Sequence, residues 1–123
     1  MTVTSDTTVL LKRAYEPATD EDGLRVLVDR LWPRGLDKKH AAIDEWPKEV
    51  APSPGLRKWF GHDPVRWQGF RRRYLAELTE NPAVDRLSEL WRGRRVTLVY
   101  AARDTEHNHA LVLRDFLLGV DRS

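Results

Sequence analysis

Arg103-Asp104-Thr105-Glu106-His107-Asn108-His109 gathers a guanidinium, two carboxylates and two imidazoles into seven consecutive residues. A guanidinium presents a planar fork of donors that suits phosphate or carboxylate. An imidazole can move a proton near neutral pH when a carboxylate orients it. The segment therefore reads as an anion site. Arg103 and Asn108 bind, His107 or His109 is the general acid/base, and Asp104 or Asp29 is its orienter. A structural reading competes on equal terms: Asp104 or Thr105 caps a helix, Asn108 closes a capping arrangement, and Arg103 pairs with Asp29 or Asp104.

A second cluster is Asp29-Arg30-Leu31-Trp32-Pro33-Arg34-Gly35. Arg30 and Arg34 flank Trp32, an arrangement that fits a planar anionic ligand through fork and cation–π contacts. In the structural alternative Trp32 fills the core, Pro33 sets a turn and Gly35 takes a positive φ. Lys58 could project into the same site from a neighbouring helix.

The four histidines raise the question of a metal. His107 and His109 are about 200° apart on a helix, although an extended turn could bring them together with His62 or Asp104. There is no H-E-x-x-H spacing and no cysteine. No metal and no cofactor is expected. Phosphate-loop, dinucleotide and nucleophile-elbow motifs are absent as well.

These residues need elements to position them. Three segments read as strands: 8–15, 25–29 and 95–101, short apolar runs of the kind covered on both faces in parallel sheets. Ser53-Pro54 opens a helix that Gly61 closes. Asp63-Pro64 opens the next, with Trp67, Phe70, Tyr74 and Leu78 as its apolar stripe. Asn81-Pro82 opens a third that ends at Gly93. The last helix is expected from Thr105 to Leu118, and a short one from Asp37 to Glu45. The pattern is α/β: a small three-layer single domain over residues 8–119, with a short, mainly parallel sheet flanked by helices. Residues 1–7 and 120–123 read as flexible termini. The link from Glu16 to Leu24 is too short for a crossover helix. The first two strands are then an antiparallel pair, or parallel with an irregular turn. Open α/β sheets bind ligands beyond the carboxyl ends of their strands. The proposed site thus requires the ends of the second and third strands to be neighbours.

Composition narrows the function classes. At 123 residues the chain is one domain with room for one core. The net charge is 21 − 19 = +2, weak for a phosphate-backbone binder. Most of the excess of sixteen arginines over five lysines is assigned to codon usage, so each arginine counts by its place. Zero cysteine excludes disulfides and thiol nucleophiles and fits a cytoplasmic protein. No signal peptide and no membrane span is visible. Two further function classes remain. A nucleic-acid-associated protein would use Arg71-Arg72-Arg73 and Arg92-Gly93-Arg94-Arg95. A non-catalytic interaction module would expose an apolar patch around Trp46 or Phe60.

Several blocks occur together and in order: Arg25 to Gly35 (RVLVDRLWPRG), Ala42 to Trp46 (AIDEW), Ser53 to Phe60, Phe70 to Leu78, Thr97 to Asp104 (TLVYAARD) and Asn108 to Leu113 (NHALVL). Over about residues 8–118 they resemble the YeaO-like branch of the domain-of-unknown-function 488 family. The resemblance implies a compact α/β domain and supplies no activity. It also implies that many relatives outside this branch carry a Cys-His pair after the last strand. This chain has Asn108-His109 there, so no thiol role carries over. The leading expectation is a cytoplasmic protein that binds a small phosphate-, carboxylate- or nucleotide-like ligand. Arg30, Trp32, Arg34, Arg103 and Asn108 would form its site, and His107, His109 and Asp104 would be available for acid/base work.

Overall fold

The computed structural model describes residues 9–91 and 93–119. The two termini and Arg92 lie outside the described residues. Three strands form one parallel sheet in the order β1-β3-β2, with β1 Val9–Arg13, β2 Leu24–Leu27 and β3 Val96–Tyr100. All of β3 is buried, as a central strand covered on both faces should be. Leu98 pairs with Leu11 on one side and with Val26 on the other. The first two strands are therefore parallel and separated by β3, and the antiparallel pairing left open by the sequence does not occur.

The link between them is fixed by close approach. Gly23 has φ +66, and a Cβ there would sit 2.3 Å from the Arg95 carbonyl oxygen. Just before it, Asp22 is buried and accepts from Arg25 Nη1 at 2.6 Å and Lys12 Nζ at 3.0 Å. Burial alone would raise the Asp22 carboxyl. Donors from Lys12, the Thr19 backbone, Arg25 and the Thr19 hydroxyl outweigh it and hold the pKa at about 2.

Among the described residues there are five α-helices: α1 Lys38–Ala41, α2 Pro54–Phe60, α3 Trp67–Thr79, α4 Pro82–Trp91 and α5 His109–Leu118. The proline-opened starts occur as read. Ser53 Oγ accepts from Leu56 N, Asp63 Oδ1 from Val65 N and Asn81 Oδ1 from Ala83 N. The Asp63 cap opens a 3-10 turn, Pro64–Arg66, that leads into α3. Phe70, Tyr74 and Leu78 of α3 are buried with Val84 and Leu87 of α4 and Val112 and Leu113 of α5. They pack on Val9, Val26, Leu98 and Tyr100 of one sheet face. The opposite face, Leu27 and Val99, is covered by Trp32, Leu36, Ile43 and Trp46, none of which is in a helix or strand.

Two helix boundaries differ from the sequence pattern, each for a local reason. α1 ends at Ala41 because the open edge of β2 takes the residues that follow. Asp44 N donates to Arg25 O at 2.8 Å, and Leu27 N donates to Glu45 O at 2.9 Å. The last helix starts at His109 and not at Thr105. Asp104 Oδ1 accepts from both Glu106 N and His107 N, which holds a separate turn. Asn108 Oδ1 then accepts from Leu111 N as the cap of α5. No helix among the described residues is long and apolar enough to cross a membrane.

Candidate functional site

The parallel register sets the ends of β2 and β3 side by side. Val28 N donates to Val99 O at 3.0 Å. One residue on, Ala101 N donates to Asp29 Oδ2 at 3.0 Å. The two chemistry-bearing segments of the sequence thus meet at one edge, where they border an open cavity of about 820 Å³. Phe60 and Phe70, stacked with centroids 4.3 Å apart, form part of its wall.

Two of the three imidazoles at the cavity, His107 and His109, each lie beside a carboxylate. Asp29 Oδ1 lies 3.0 Å from His109 Nε2. The ring N–H points instead to the Val28 carbonyl oxygen at 3.1 Å, so Asp29 Oδ1 lies beside that bond and accepts no hydrogen bond. His107 Nδ1 lies 2.9 Å from Asp104 Oδ2, and its ring meets Trp67 edge-on at 5.4 Å. The backbone N–H of Glu106, then the His107 ring, hold the Asp104 carboxyl below its ordinary value. Both carboxylates at the cavity are therefore engaged.

The arginines divide into two groups. Arg30 borders the cavity, but its Nη2 donates to the carbonyls of Ala51 at 3.2 Å and Pro52 at 3.4 Å. Tyr74 hydroxyl donates to Val50 O at 2.6 Å, and Glu77 accepts from Ser53 N at 2.9 Å and the Ser53 hydroxyl at 2.6 Å. These bonds lock residues 50–53 and so aim α2 at the cavity. Burial and the nearby Glu77 charge push the Tyr74 hydroxyl well above its ordinary pKa, so it stays a donor. Arg103 is exposed on the lining of the cavity, to which α2 adds the exposed Arg57 and Lys58.

Arg103, Asp104, His107, Asn108 and His109 all border the cavity together with Arg30. Trp32 and Arg34 do not. Trp32 belongs to the core of the opposite sheet face, donates from Nε1 to Leu36 O at 2.9 Å and meets Trp46 edge-on at 5.5 Å. The exposed Arg34 offers its carbonyl to the Tyr15 hydroxyl at 2.9 Å. Sequence reasoning missed Arg57 and the aromatic wall, and it considered His62 only as a metal ligand. A signal for Arg57 existed: with a helix starting at Pro54, positions 54, 57 and 58 share one face.

Three arginines of the basic runs are engaged within the chain. Arg71 Nη2 pairs with Asp115 at 3.1 Å, Arg73 lies 4.2 Å over the Trp59 ring, and Arg95 Nη1 donates to Glu21 O. Phe60 is buried, and Trp46 donates to the Asp29 carbonyl, so neither forms an exposed apolar patch. Among the described residues no group of three or more His, Asp or Glu side chains could hold a metal.

Comparison with known proteins matches residues 8–121 to a family model described as the inactive DUF488-N3 subclade. The chain is 50% identical over 107 residues to the uncharacterized protein YeaO of Escherichia coli K12, covering 86% of this chain and 93% of that one. It is 42% identical over 114 residues to Rv3073c of Mycobacterium tuberculosis H37Rv, covering 93% and 97%. Mb3100c of Mycobacterium bovis is similar to the same extent. No solved structure matches at a significant level.

Proposed function

Because the chain belongs to the DUF488 family, in the subclade described as inactive, we propose that it binds a small anionic ligand at the strand ends without turning it over. One observation carries the reading. Arg57, Lys58 and Arg103 surround the cavity, and none of their side chains forms an ion pair or hydrogen bond among the described residues. The two carboxylates there are held by backbone and imidazole. The uncommitted charge at the cavity is positive, which favours phosphate, carboxylate or a nucleotide-like group.

Among the described residues no serine, threonine, tyrosine or cysteine borders the cavity, so a hydroxyl or thiol nucleophile has no support there. Proton transfer by His107 or His109 remains the second reading, because each ring sits beside its own carboxylate. Association with nucleic acid has less support, since Arg71, Arg73 and Arg95 are engaged within the chain. The proposed compartment is the cytoplasm, in keeping with the cysteine-free composition.

A thermal-shift titration with inorganic phosphate, on wild type and Arg103→Ala, tests the proposal. Ligand at 100 times its dissociation constant should stabilise the wild type by about 2.7 kcal/mol. Arg103→Ala should weaken binding about tenfold, as loss of a charged hydrogen-bond donor does. An equal response in both proteins, or none in either, would remove the cavity from consideration.

A further inference from the structure

We infer that the ligand is amphipathic: a planar aromatic or heteroaromatic body carrying one phosphate or carboxylate. The inference rests on the anion reading above and names the ligand class. The cavity has two kinds of wall. Its lining includes the exposed cations Arg57, Lys58 and Arg103, and also the apolar side chains of Leu31, Pro52, Pro54, Phe60 and Phe70. A volume of about 820 Å³ lies in the range of pockets that enclose whole organic ligands, far more than a bare tetrahedral anion fills.

Leu31 adds an independent argument. It is 67% exposed, and of the exposed large apolar side chains among the described residues it is the one that borders the cavity. A flat apolar body lying against Leu31 and the prolines would cover it.

Calorimetric titrations with inorganic phosphate, phenyl phosphate, benzoate and adenosine monophosphate decide the matter. Phenyl phosphate should bind at least about tenfold tighter than inorganic phosphate, the gain expected from burying a ring face. If benzoate also binds, the head group is any small anion; if it fails, the head group is phosphate. Adenosine monophosphate, with a heteroaromatic body, should likewise bind more tightly than inorganic phosphate. Leu31→Ser, at an exposed position that leaves the core intact, should reduce the phenyl phosphate advantage several-fold and leave phosphate binding unchanged. Equal affinities for phosphate and phenyl phosphate would overturn the amphipathic ligand while the anion site stands. Absence of binding by all four would overturn both.

Discussion

Asp29 Oδ1 lies 3.0 Å from His109 Nε2, which ties the residues following β2 to the first residue of α5. The other oxygen of the same carboxylate accepts the Ala101 N–H at 3.0 Å. One side chain, 16% exposed, thus joins the ends of two strands and the start of the last helix. Asp29→Ala leaves the Ala101 N–H unsatisfied and removes the anion beside His109, and should destabilise the fold by about 2–3 kcal/mol. Asp29→Asn keeps an oxygen acceptor and should lose about half as much. Urea unfolding of the two variants measures this, and equal losses would show that the carboxylate oxygens carry no specific bond.

The Asp22 carboxyl predicts the acid limb of the stability curve. Its folded pKa of about 2 lies below the ordinary 3.8. A depressed carboxylate stabilises the fold above the unfolded pKa and loses that contribution as pH falls through the folded one. The shift corresponds to about 2 kcal/mol, present above pH 4 and gone below about pH 2. Asp22→Asn also strips the buried Arg25 of its partner, so the loss near pH 7 should reach about 3–5 kcal/mol. The gap between wild type and variant should narrow between pH 4 and pH 2. A gap of constant size across that range would mean that Asp22 is not ionised in the way its partners imply.

Two glycines with similar backbone angles should behave differently. A Cβ added at Gly23 (φ +66) would lie 2.3 Å from the Arg95 carbonyl oxygen, whereas one added at Gly35 (φ +74) would meet nothing within 4 Å. Gly35→Ala therefore meets only the left-handed backbone cost, about 1 kcal/mol. Gly23→Ala adds a clash with backbone that cannot rotate away, and should lose about 3 kcal/mol or more by displacing the link from β3. Thermal melts of both variants compare them directly, and equal losses would contradict the close approach.

The same contrast marks what the sequence could disclose. Val96–Tyr100 announces a central parallel strand because no polar residue interrupts its apolar run except Thr97, whose hydroxyl is satisfied by Asp22 O. Ser53-Pro54 and Asn81-Pro82 announce helix starts because side-chain caps act within three residues. For Trp32 the sequence left a ligand-facing and a core-filling reading open, and the core reading holds through Trp46, a partner fourteen residues away in sequence. Arg30 looked like a ligand arginine, but its carbonyl partners Ala51 and Pro52 are set by tertiary packing. Local rules placed the elements, and long-range partners decided which arginines remained free.

His62 follows Gly61 and also has a left-handed backbone, φ 57. Glycine tolerates that conformation, but a side chain with a Cβ is held there at a cost of about 1 kcal/mol. His62 borders the cavity, and its ring centroid is 6.1 Å from that of Phe60. Residues kept in strained conformations cluster at functional sites. His62→Gly should therefore raise stability by about 0.5–1 kcal/mol while weakening phosphate binding, because the cavity loses an imidazole donor. Thermal melts and a phosphate titration of the variant read the two effects separately. A stabilised variant with unchanged affinity would assign His62 to the turn alone, and a destabilised one would mean that its contact with Phe60 outweighs the backbone strain.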